Sequence, residues 1–123
     1  MDDQVAGLMI SSANIAPVFK IEVQSYEFEV ATGYGERIDW VSTTDRRFRT
    51  PEGIGVGSSM KEVSRRVDAE VLGIPGWACF VELPSGWKAA FGFTLEEALE
   101  DGVWRPCKKQ ISPASEIAFL YMR

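Results

Sequence analysis

Residues 49–63 read Arg49-Thr50-Pro51-Glu52-Gly53-Ile54-Gly55-Val56-Gly57-Ser58-Ser59-Met60-Lys61-Glu62-Val63, and no other stretch restricts the chain as much. Pro51 and three alternate glycines make a turn-rich entry. Ser59 stands three residues before Glu62, the spacing of a capping box at a helix start. Met60, Val63 and Val67 follow at helical spacing, with Lys61, Glu62, Arg65 and Arg66 on the other side. The segments before and after alternate apolar and polar residues. A helix over about 59–67 is therefore the one long helix of a mostly β domain.

The strand signals begin at Val18. Phe19, Ile21 and Val23 share one face, and the apolar phase then shifts to Tyr26, Phe28 and Val30. A shift by one residue moves side chains to the opposite face, so a bulge or bend is expected at Gln24-Ser25. Gly33-Tyr34-Gly35 makes a turn before a strand from Ile38 toward Phe48, and Gly73-Ile74-Pro75-Gly76 a turn after the helix. Residues 77–83 are nearly all apolar, as in a central strand covered on both faces. Pro84-Ser85-Gly86 reads as a hairpin turn into a strand carrying Trp87, Ala89, Phe91 and Phe93 on one face. Thr94 and Glu97 repeat the capping spacing and allow a short second helix over about 95–100, with a stop near Gly102. Residues 105–115 are a polar loop, and 116–122 are a last strand apolar on both faces.

These elements predict an α+β domain over residues 17–123. It has a mostly antiparallel sheet of about five strands with the main helix on one face. Residues 1–16 are small and irregular and form a loosely ordered N-terminal arm. Lys20, Glu22 and Glu29 are charges of the kind that blunt a sheet edge.

Four of the five units of net negative charge fall in the first thirty residues. An acidic chain repels a phosphate backbone, which argues against general nucleic-acid binding. No histidine is present, which removes Ser-His and Cys-His nucleophile pairs, the commonest general base and most zinc and copper sites. No apolar run reaches the roughly 20 residues of a membrane helix. Two cysteines, Cys79 and Cys107, are too few and too far apart for a zinc framework. They are either buried thiols or one disulfide, whose loop-closure entropy would contribute about 3–4 kcal/mol.

Three groups of side chains invite a functional reading. Arg46, Arg47 and Arg49, with Gly57, Ser58 and Ser59 at the helix start, could receive an anion, because guanidinium groups fork onto carboxylates and phosphates. The glycine spacing is neither the dinucleotide fingerprint nor the P-loop, and a tight turn with a half-solvated strand around Phe48 explains the same residues. Trp77 and Trp87 flank the central hairpin and would anchor a protein partner if exposed. No catalytic constellation, metal cluster or cofactor motif is visible.

Residues 38–67 resemble a family of small bacterial cell-envelope domains, often lipoproteins and mostly of unknown function. The resemblance rests on Ile38-Asp39-Trp40-Val41 as the strand, Thr50-Pro51-Glu52-Gly53-Ile54-Gly55-Val56-Gly57-Ser58 as the turn and Lys61-Glu62-Val63 in the helix. It covers about a quarter of the chain, a fraction of one domain. A looser likeness extends to outer-membrane-assembly lipoproteins and β-lactamase-inhibitor proteins. Where the family closes its helix with Tyr-Gly or Tyr-Pro, this chain has Arg66-Val67-Asp68, and the family's lipid-bearing cysteine is absent. The resemblance implies an envelope, periplasmic or secreted location, membrane attachment only through a lipid anchor absent from this chain, and no catalytic residue. The expectation is a non-enzymatic protein-interaction module without a cofactor. The alternative is a small-ligand or anion-binding protein using the glycine turn and its arginines.

Overall fold

The apolar phase shift at residues 24–25 turns out to separate two strands. In the computed structural model, which describes residues 18–33, 37–74, 78–92 and 98–123, β1 (Val18–Val23) and β2 (Tyr26–Thr32) form an antiparallel hairpin. Gln24 (φ 54°) and Ser25 (φ 74°) make its two-residue turn, where a bulge or bend within one strand was expected. The correction has a simple geometric cause. A two-residue loop pairs Val23 with Tyr26, so odd-numbered residues of β1 share a face with even-numbered residues of β2. A hairpin and a bulge thus leave the same mark on the sequence.

β3 (Ile38–Thr43) continues the meander, and the loop after it leads to α1 (Met60–Arg66). β4 (Val71–Ile74), β5 (Ala78–Glu82) and β6 (Lys88–Phe91) make a second antiparallel meander. β7 (Leu99–Glu100) and β8 (Val103–Trp104) form a separate small ribbon, and α2 (Cys107–Gln110) precedes β9 (Ile117–Met122). Among the described residues the main sheet has seven strands in the order β1-β2-β3-β9-β6-β5-β4, every neighbour antiparallel. The mostly antiparallel sheet with few helices agrees with expectation, whereas the strand number exceeds it. Two strands were hidden: one by the β1–β2 turn, the other because β4 is four residues long and contains Gly73.

β9, the last strand in sequence, joins the two meanders by pairing β3 on one side and β6 on the other. It is central, the place expected for residues 77–83. β5 is nonetheless buried from Ala78 to Val81 on both faces, so burial alone could not rank the two strands. On one face, Val81, Ala89, Phe91, Ile117 and Leu120 pack with Val63 of α1 and with Ile54 and Val56 of the glycine turn. On the other, Ala78, Phe80, Ala90 and Tyr121 form a second cluster with Trp40 and Phe119 against it. Trp40 stacks on Tyr121 with ring centroids 4.9 Å apart.

Three further expectations change. β3 ends at Thr43, so Arg46, Arg47 and Arg49 lie in a loop and not on a strand face. Residues 99–100 are strand, because Asp101 (φ 53°) and Gly102 (φ 78°) form a hairpin turn between Glu100 and Val103. The polar segment 105–115 contains α2. The N-terminal arm, Trp77 and the start of the helix expected over 95–100 lie outside the described residues.

Candidate functional site

The glycine turn owes its shape to alternation. Ile54 and Val56 point into the core, 0% and 7% exposed, and Gly53, Gly55 and Gly57 alternate with them, Gly55 itself buried and the other two partly exposed. Each glycine lies beneath a guanidinium group. A Cβ on Gly57 would stand 2.6 Å from Arg46 Nη1, one on Gly53 would stand 2.9 Å from Arg66 Nη1, and one on Gly55 would overlap the Arg49 guanidinium. Gly53 and Gly57 also have positive φ, 84° and 94°. A Cβ is therefore disfavoured by backbone conformation at Gly53 and Gly57, and at Gly55 by the Phe48 carbonyl, which it would meet at 2.8 Å, whereas the arginine ends could shift aside.

Of the candidate arginines, Arg46 and Arg49 reach the turn and Arg47 does not. Arg49 Nη1 donates to the carbonyls of Arg46 (2.7 Å) and Phe48 (3.1 Å), which rolls the loop into a closed curl. Arg47 forks onto Asp45 through Nε–Oδ1 (2.9 Å) and Nη2–Oδ2 (2.7 Å), and donates to the Ser25 carbonyl at 2.6 Å. Asp45 also accepts the Glu27 backbone N–H at 3.0 Å. This clasp fastens the loop after β3 to the β1–β2 turn. The Arg47 side chain and the two backbone N–H donors hold the Asp45 carboxyl well below the usual carboxylate range, and Asp45 in turn raises Arg47. The sequence reading missed Asp45. Its signal was an Asp two residues before an Arg in a turn, which is common.

Ser58 and Ser59 serve the backbone. Ser58 Oγ is buried and accepts the Gly55 N–H at 3.0 Å. Ser59 caps α1, its Oγ accepting the Glu62 N–H at 3.1 Å. The Glu62 carboxylate faces Arg66 instead, with Oε2–Nε at 3.5 Å. The N–H groups of the first two helical residues are also occupied: Met60 N donates to the Ser115 carbonyl (2.8 Å) and Lys61 N to that of Pro113 (2.9 Å). An anion at this terminus would need those donors, and the segment entering β9 already holds them.

Across the turn, Glu52 accepts from Ser85 N (2.6 Å) and Ser85 Oγ (2.9 Å), which fastens the turn to the β5–β6 hairpin. Burial pushes the Glu52 carboxyl up, but the hydrogen bonds from Ser85, Thr50 and the backbone outweigh it and its pKa falls below the ordinary value. Trp87, expected as an anchor if exposed, is half-buried. It packs with Phe28 and Phe48 at centroid distances of 6.3 and 5.3 Å. Trp87 thus belongs to the rim of the core.

Exposed apolar side chains lie elsewhere: singly at Ile38 and Leu72, as the pair Val103 and Trp104, and at four positions of β1. Val18, Phe19, Ile21 and Val23 are 36%, 49%, 37% and 49% exposed, next to buried Phe28 and Val30 of β2. β1 is an outer strand of the sheet. At the other edge, β4 is packed by α2, and Cys107 of α2 is bridged to Cys79 of β5 with Cα atoms 5.6 Å apart. Among the described residues no group of three or more Asp, Glu, Cys or His side chains is placed to hold a metal ion, and no helix is long and apolar enough to cross a membrane. Comparison with protein-family models, curated proteins and solved structures finds no match.

Proposed function

We propose that this domain is a non-enzymatic protein-interaction module of the bacterial cell envelope or of a secreted protein, and that β1 is the strand through which it binds. The carrying observation is the exposed apolar row Phe19, Ile21 and Val23 on an outer strand. Exposed strand edges invite pairing, and a functional edge supplies both backbone hydrogen bonds and alternate side-chain contacts to an added strand. The Cys79–Cys107 bridge supports an oxidising compartment. The family resemblance of residues 38–67 points the same way. The anion-binding alternative draws on Arg46 and Arg49 above the glycine turn, but Ser58, Ser59 and the first N–H groups of α1 already have internal partners.

A photo-crosslinking side chain placed at Phe19 or Val23, compared with one at Lys108 on α2, tests the proposal in cells carrying the natural gene. Adducts to a protein, or to a second copy of the chain, at positions 19 and 23 but not at 108 are the expected result. Absence of position-specific adducts overturns it.

A further inference from the structure

Resting on the reading of β1 as a binding edge, we infer that its partner is a second copy of this chain, joined by antiparallel β1–β1 pairing about a two-fold axis at Ile21. The backbone sets the available registers. Val23 and Tyr26 flank a two-residue loop and form a hydrogen-bonded pair, so Val23, Ile21 and Phe19 direct their N–H and C=O groups to β2. The next pair, Glu22 and Glu27, is then a non-bonded one. Accordingly, Glu27 N donates to Asp45 Oδ2 and its carbonyl accepts from Thr43 Oγ1. Val18, Lys20 and Glu22 therefore turn their backbone groups outward, where another strand can bond them.

Side chains choose among the registers. An axis at Lys20 or Glu22 sets that charge against its own copy, which is unfavourable for residues directly opposite. An axis at Ile21 sets Lys20 against Glu22 of the second copy twice, through outward-bonding pairs, and sets Phe19 against Val23 twice. It also relieves a local conflict: within the hairpin, Glu22 lies opposite Glu27, a like charge. Charges that would repel an arbitrary strand thus become complementary to their own copy. The contact is isologous, so it closes as a dimer with one continuous sheet and does not propagate.

Light scattering and analytical ultracentrifugation of the 123-residue chain supply the test. The wild type is expected to sediment at twice the chain mass of 13.7 kDa. K20E and E22K each place like charges at both pairs and should raise the dimer dissociation constant by about tenfold or more. The double variant K20E/E22K should restore it, and mixing the two single variants should yield a heterodimer. Circular dichroism confirms that these exposed substitutions leave the fold intact. A dimer indifferent to the charge swaps overturns the inference. A monomer at high concentration also overturns it, and hydrogen exchange at Lys20 and Glu22 then reports on the reading beneath. Fast exchange leaves an open edge for another protein, whereas protection means that the chain covers its own edge, and both readings fall.

Discussion

Gly73 stands directly opposite Cys79 across β4 and β5, and the Sγ of Cys107 occupies the space that a Gly73 side chain would need. The bridge between α2 and β5 therefore passes over a strand position kept bare for it. Gly73 weakens β4 as a strand, and the sequence gives no local reason for it.

Gly73→Val should disfavour the bridge, raising free thiol content in the denatured, unreduced protein. Separately, the double variant Cys79→Ser/Cys107→Ser should lose about 3–4 kcal/mol, the loop-closure entropy of the 28-residue separation. Thiol titration without reductant reads the first outcome, and urea unfolding the second. A loss under about 1 kcal/mol would show that the unfolded chain gains little freedom when the bridge is removed.

Gly57→Ala should destabilise the fold by about 1–3 kcal/mol, because its φ of 94° is costly for any residue with a Cβ. The overlap with Arg46 is a second cause and can be separated. In an Arg46→Ala background the steric part disappears while the conformational part stays. Equal stability of Arg46→Ala and the double variant would assign the whole effect to the guanidinium.

Leu120→Ala should cost about 2–5 kcal/mol. Leu120 is fully buried in β9, opposite Ala89 of β6 and Thr43 of β3, where the two meanders meet. Hydrogen exchange should show the loss of protection in both meanders together. Loss confined to one would mean that the halves fold as separate units.

Glu52 makes the domain acid-sensitive. Its pKa is lowered in the folded protein from the ordinary 4.5, so the unfolded chain takes up the proton more readily. The contribution is complete above the unfolded value and is lost as pH falls through 4.5 and on through the folded value. Glu52→Gln should therefore flatten stability against pH between about pH 6 and about pH 3, with most of its deficit at the upper end. Parallel curves for variant and wild type, followed by urea midpoints, would remove Glu52 from the acid response.

Local signals in this chain were legible wherever a residue's neighbours in sequence are also its neighbours in space. The Ser59 cap, the helix face of Met60 and Val63, the Pro84-Ser85-Gly86 turn and the twofold alternation of the strands are of this kind. The sheet character followed from them. What sequence could not distinguish were events with the same parity. Gln24-Ser25 as hairpin or bulge, and Asp101-Gly102 as strand turn or helix stop, differ only in which strand comes to lie alongside. The candidate anion site was only partly legible for a related reason. Arg46 and Arg49 do lie over the glycine turn, as their nearness in sequence suggests, but Arg47 and the helix start are also held by partners from far along the chain: Ser25 for Arg47, Pro113 and Ser115 for the first helical N–H groups.

The sequence by itself determined a histidine-free, acidic, sheet-rich domain with a glycine turn leading into one capped helix, because composition, periodicity and capping act within a few residues. Only the tertiary structure decided that β9 is the central strand, that Trp87 lines the core, that Gly73 makes room for Cys107 and that Ile21 lies on an outer strand of the described sheet. Each of these depends on strand order. Strand order is settled by long-range pairing, in which a strand apolar on both faces fits equally well at several places until the whole sheet closes around it.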